Sequence, residues 1–163
     1  MPEPRLHESL IAEKIVQLID QNLSSLLGLK IVTYESLEFF AAPGQLSSNV
    51  PAVFVKPSPS TSLERITTGQ TYRIVYNFRL VLVQPFGPNE RVVMSKVTNT
   101  QKIGELLIDN VDLGSLPLPN GQILSVSLRQ IEWEPPEDKF EEIDRANMTA
   151  AALVLTVETT SRK

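Results

Sequence analysis

Two periods of apolar and polar positions run through this chain, and the switches between them mark out its elements. Over residues 6–27, Leu10, Ile11, Ile15, Leu18, Ile19, Leu23 and Leu26 recur at the 3.6-residue period of a helix. Glu13, Lys14, Gln17, Asp20 and Gln21 take the opposite side, and Gly28 follows where a left-handed cap residue belongs. Such a stripe predicts an amphipathic helix laid on a sheet. Residues 30–40 mix periods: Ile31-Val32-Thr33-Tyr34 suits a strand, whereas residues 35–40 keep no clean period. Residues 51–56 read as a short strand opened by Pro51, which has no N–H to give to a ladder. Residues 57–70, rich in proline, serine and threonine, are too polar for core. They are expected to form a long loop, mobile in the free protein and ordered by a partner.

The clearest alternation covers residues 72–84. Tyr72, Ile74, Tyr76, Phe78, Leu80 and Leu82 share one face, expected to be core. Arg73, Val75, Asn77, Arg79, Val81 and Val83 share the other, polar at its start and apolar at its end, so partial cover is expected there. A strand of this length spans about 43 Å at about 3.3 Å per residue, long enough to project as a ribbon or hairpin. Residues 93–110 return to the helical period, with Gly104 on the apolar face, where it would let a sheet approach closely. Asn120-Gly121 predicts a tight turn. Residues 122–133 form a strand whose alternation, Leu124, Val126, Leu128, slips near Gln130 so that Ile131 and Trp133 change face. A bulge explains such a slip. After an acidic, proline-opened loop, a last strand begins at Met148, with Leu153, Leu155 and Val157 opposed to Val154 and Thr156. The order predicts a single α+β domain over residues 1–163, with a mostly antiparallel sheet and two helices on one face.

Composition narrows the chemistry. The 163 residues are 42% hydrophobic and 21% charged, close to globular averages. There is no cysteine, which excludes disulfides and thiolate metal sites. No apolar run reaches the ~18 residues of a membrane span, and residues 1–7 lack the pattern of a signal peptide. The sequon Asn147-Met148-Thr149 carries little meaning without secretion. The net charge of −4 argues against a dedicated nucleic-acid surface. Its distribution is uneven: residues 1–55 hold three bases and six acids, residues 56–102 seven bases and two acids, and residues 103–163 five bases and eleven acids. Either folding mixes these charges over the surface, or opposite patches meet between subunits.

Catalytic and metal constellations are not built by these residues. His7, the one histidine, lies in an N-terminal segment expected to be mobile, so no triad or imidazole cluster forms around it. The seven glycines form no phosphate-binding motif. Glu132 and Glu134, two apart, could pair for acid–base work but read more simply as a solvated strand end. The acidic run 137–144 lacks the ligand spacing and central glycine of a calcium loop. No cofactor and no enzymatic activity are expected.

The helix over residues 11–27, the strand Pro51-Ala52-Val53-Phe54-Val55, the long strand 72–84, the helix 93–110 and the strand 153–159 together resemble the tail terminator (tail completion) proteins of tailed bacteriophages. The resemblance covers most of the chain and rests on the order of elements, without an invariant motif. It implies a structural virion protein, a hexameric ring that caps the tail tube and joins tail to neck. It further implies assembly in the host cytoplasm, a tail tube protein and a neck or head-completion protein as partners, DNA passing through the lumen without specific binding, and no membrane. Another head–tail connector, or an α+β domain binding a small ligand, are the alternatives. Candidate contacts between subunits or with partners are the bases Arg65, Arg73, Arg79 and Arg91, facing the acids Glu137, Asp138, Glu141 and Glu142 of a neighbour.

Overall fold

The computed structural model describes residues 7–34, 51–57, 62–65, 71–85, 90–133 and 148–162. They form helix α1 (Glu8–Leu27), strands β1 (Ile31–Thr33), β2 (Ala52–Pro57), β3 (Ser62–Arg65) and β4 (Thr71–Pro85), helix α2 (Glu90–Asp109), and strands β5 (Gly121–Glu132) and β6 (Met148–Arg162). The sheet runs β1-β2-β4-β6-β5, with β3 on β4 beside β2. Only the β1–β2 pair is parallel among these ladders. The α+β class with two helices on one face is therefore the observed architecture.

The centre is the β4–β6 pair, antiparallel from Thr71↔Arg162 to Pro85↔Met148. Its inner face carries Ile74, Tyr76, Phe78, Leu80 and Leu82 against Leu153, Leu155 and Val157, all buried with Val53 and Val55 of β2. Ile11, Ile15, Leu18, Ile19 and Leu23 of α1, with Ile103 and Leu107 of α2, close this core. Gly28 ends α1 at φ 66°, and the N–H of Leu29 turns back to the Ser24 carbonyl at 2.9 Å. Gly104 brings α2 close to the sheet as expected: a Cβ there would stand 3.3 Å from Leu128 Cδ2 and 3.4 Å from Leu153 Cδ2. Lys96 ties α2 to the strands, donating to the Trp133 carbonyl at 2.6 Å and the Thr149 hydroxyl at 2.8 Å.

Three expectations change. Residues 62–65, placed in a long polar loop, form β3 and pair antiparallel with Tyr72–Val75. A ladder is made by main-chain groups, so an edge strand needs no apolar alternation. Here β4 runs past the end of β2, leaving an edge for β3 to occupy. The rest of that polar stretch, 58–61 and 66–70, lies outside the described residues. His7, placed in a mobile segment, is 4% exposed at the head of α1, where its N–H donates to the Tyr76 hydroxyl at 3.0 Å. Finally, α2 begins at Glu90, before the first apolar position of its stripe.

The slip in β5 is a bulge between Leu128 and Gln130, and a second irregularity stands between Ile123 and Ser125. The Asn-Gly turn is also present: Asn120 takes φ 58° and the Gly121 N–H reaches the Leu118 carbonyl at 3.1 Å. Gly121 is required at that point, because a Cβ would lie 2.3 Å from the Thr160 carbonyl oxygen.

Candidate functional site

The sheet face turned away from the helices changes character along its length. At one end Ala52, Phe54, Val81, Val83, Ala150 and Ala152 form a second buried apolar cluster. The cover expected over the far end of β4's second face is thus present. Toward the start of β4 the same face becomes polar, since the alternation places Arg79, Asn77 and Arg73 in line with Thr156 and Glu158 of β6.

Strand register builds the polar half residue by residue. Arg79 stands opposite Val154, and its guanidinium donates to the Glu132 carboxylate of β5. The pair is well sheltered, with side chains 17% and 30% exposed. Gln130 holds the other Glu132 oxygen at 3.1 Å. Arg73 donates to Glu158 at 2.6 Å, a wetter pair. Between the two pairs, Arg129 Nε donates to the Thr156 hydroxyl at 3.2 Å, which donates onward to Asn77 Oδ1 at 2.9 Å. Arg129 is the residue freed by the β5 bulge between Leu128 and Gln130, so that bulge directs a cation onto this face. The slipped alternation near Gln130 predicts the bulge but carries no signal for the side chain that it releases.

Of the predicted contact residues, Arg73 and Arg79 share this face and each holds a carboxylate of its own chain. Arg65 and Arg91 stand in β3 and α2, with side chains outside the described residues. Glu137, Asp138, Glu141, Glu142 and Glu134 lie outside the described residues altogether. Glu132 is engaged by Arg79 and Gln130, an ion-pair role for a residue first considered for acid–base work.

Among the described residues no three His, Asp or Glu side chains gather as a metal site requires, and no helix is long and apolar enough to cross a membrane. Of two described hollows, one is a polar cleft of about 590 Å³ lined by Thr71, Asn120, Gln122 and Thr160. The other is an apolar groove of about 220 Å³ between α2 and the outer strand β5, lined by Gly104, Ile108, Leu128 and Ile131 with Gln101 and Glu105 at its rim. Neither brings a nucleophile together with a base.

No family model matches the chain, and no curated protein matches it. Among solved structures, a chain from the virion of a native gene transfer agent (GTA) particle is similar in fold. The match has a TM-score of 0.55 at 14% identity and covers 93% of this chain and 97% of that one. The likeness is one of fold, over most of both chains.

Proposed function

We propose that this chain is a structural protein of a phage-like particle that works by assembling, not by catalysis. Its part in that particle is a tail terminator: a ring, hexameric by resemblance, that caps the tail tube and joins it to the neck. The observation that carries this reading is the end-to-end fold match to a chain of a gene transfer agent virion. The order of elements that resembles tail terminators supports the finer assignment. So does the use of the described polar side chains, which link strands to one another and build no reaction centre. In this role the chain contacts further copies of itself, a tail tube protein and a neck protein, and DNA crosses the lumen without specific binding. An acidic balance suits such passage, because a basic lining would hold phosphates.

The test is negative-stain microscopy with light scattering on the purified protein, alone and with tail tubes from a matching particle. Rings seated at one tube end are expected. Failure to bind tubes at any concentration would remove the terminator assignment.

A further inference from the structure

The turn that opens β5 joins two residues that the fold demands and that chemistry makes labile. Asn120 stands at φ 58°, a left-handed position that asparagine tolerates better than most residues with a side chain. Gly121 follows because a Cβ there would lie 2.3 Å from the Thr160 carbonyl oxygen. Together they set an amide side chain beside a main-chain nitrogen that no neighbouring side chain shields. Asn120 is exposed and lines the polar cleft with Thr71, Gln122 and Thr160.

Such a pair rearranges without an enzyme. The Gly121 nitrogen, on losing its proton, attacks Cγ of the Asn120 amide. A bond forms between that nitrogen and Cγ, the bond from Cγ to Nδ2 breaks, and ammonia leaves with the proton. Water then opens the cyclic imide. Opening at Cγ gives aspartate; opening at the main-chain carbonyl gives isoaspartate, whose backbone runs through Cβ and Cγ and is longer by an atom. In the folded chain the attacking nitrogen is engaged, since the Gly121 N–H donates to the Leu118 carbonyl at 3.1 Å and Gly121 pairs with Ser161 at the head of β5. Upstream, Leu113, Gly114 and Ser115 stand at φ 52°, 67° and 63°. Residues with side chains resist that conformation, so strain favours opening of the segment, while the buried Leu113 and Leu118 oppose it.

We propose that Asn120 is a site of self-modification by deamidation, guarded by the turn from Leu118 to Gly121. The fold sets the rate, because the Gly121 nitrogen is released only when the turn opens. The isoaspartate product cannot close the turn again. It lengthens the chain where the Gly121 backbone already lies against the Thr160 carbonyl, so the pairs Gly121↔Ser161 and Gln122↔Thr160 are lost. Either product also places a carboxylate in a cleft whose other described lining, Thr71, Leu118, Gly121, Gln122 and Thr160, carries no charge. The modification thus records, irreversibly, how often this end of the sheet has opened.

Ageing the folded protein beside the urea-unfolded chain at mildly alkaline pH, with conversion at Asn120 read by peptide mass spectrometry, tests this. The unfolded chain is expected to convert at least about tenfold faster. Leu118→Ala removes a buried anchor and leaves the labile pair in place, so it should raise the folded-state rate severalfold. Should that variant fail to fold, wild type in urea below its unfolding transition gives the same reading, since urea raises the population of the open turn. Asn120→Gly keeps a residue suited to left-handed φ but has no amide to lose. It should give no product at this position and keep its hydrogen-exchange protection on ageing. Wild type that carries isoaspartate should lose protection over residues 121–123. Equal rates in folded and unfolded chains, or a folded-state rate that neither Leu118→Ala nor dilute urea raises, would show that the turn guards nothing. Absence of conversion in the unfolded chain, or isoaspartate with β5 protection unchanged, would overturn the inference as well.

Discussion

At the scale of single residues, two glycines and one tyrosine separate space from chemistry. Gly121 and Gly104 both sit where backbone meets sheet, but their neighbours differ. At Gly121 the obstacle is a carbonyl oxygen fixed in the β5–β6 ladder; at Gly104 it is the ends of two leucine side chains. Gly121→Ala is therefore expected to destabilise by ~1–3 kcal/mol. For Gly104→Ala, the gain in helix propensity of up to ~1 kcal/mol offsets the crowding, and the net change is expected to be small. Urea unfolding of the two variants measures the contrast. Tyr76 is the third case. Burial pushes its phenol above the ordinary tyrosine range, and the Glu8 charge adds to this, while hydrogen bonds from the His7 N–H and Thr159 pull the other way. The folded state thus holds the phenol proton more tightly than the unfolded chain does. This contribution is complete below the unfolded value of ~10 and is lost as pH rises through the folded value. Stability should fall with rising pH above ~10. Tyr76→Phe should remove that part of the fall and, at neutral pH, cost ~1–3 kcal/mol for the unpaired His7 N–H. Unfolding midpoints from pH 8 to 11 for both proteins check the sign.

At the scale of elements, legibility followed how far each signal is local. The alternation of β4 marked the core face correctly because Ile74, Tyr76, Phe78, Leu80 and Leu82 repeat at the strand period whatever they pair with. The helix stripe, the Gly28 cap, the Asn-Gly turn and the β5 bulge were legible for the same reason. β3 was not, because its pairing depends on β4 overrunning β2, a fact of topology invisible in Ser62-Leu63-Glu64-Arg65. Nor could the sequence show that Arg79 meets Glu132, 53 positions away, across β6. That pair links β4 to β5, and its sheltered position makes a lone partner costly. Arg79→Ala is expected to destabilise by ~1–3 kcal/mol, leaving a half-buried carboxylate without its cation. Arg79→Ala with Glu132→Ala should recover part of that loss. Arg73→Ala, at the wetter pair with Glu158, should cost ~0–1 kcal/mol. A double-mutant cycle followed by thermal unfolding gives both numbers. If the two arginines cost the same, shelter is not what distinguishes them.

At the scale of the whole molecule, the uneven charge along the chain becomes a question of which faces carry it. Arg73 and Arg79 balance carboxylates of their own sheet, and Lys96 clamps α2, so part of the basic middle segment serves the fold. This makes substitutions of those arginines poor tests of assembly, since they disturb the sheet as well. The contact expected between these bases and the acids of residues 137–144 on a neighbouring subunit or adjoining ring is therefore tested from the acidic side, and we propose it as one that sets how copies meet. Exposed ion pairs contribute about 0–1 kcal/mol each, so a single reversal there should do little. Glu141→Lys with Glu142→Lys should act mainly on the rate at which copies meet, because opposite charges steer encounter more than they hold a finished contact. Screening follows: the Debye length shrinks from ~10 Å at 0.1 M salt to ~3 Å at 1 M, so the defect should be largest in dilute salt and vanish in concentrated salt. Assembly followed by light scattering after a concentration jump, across that range, measures it. Slow assembly of the double variant at low salt, converging with wild type at high salt, is the expected result. Equal rates at low salt would mean that these carboxylates only face water, and that orientation in the ring is set elsewhere.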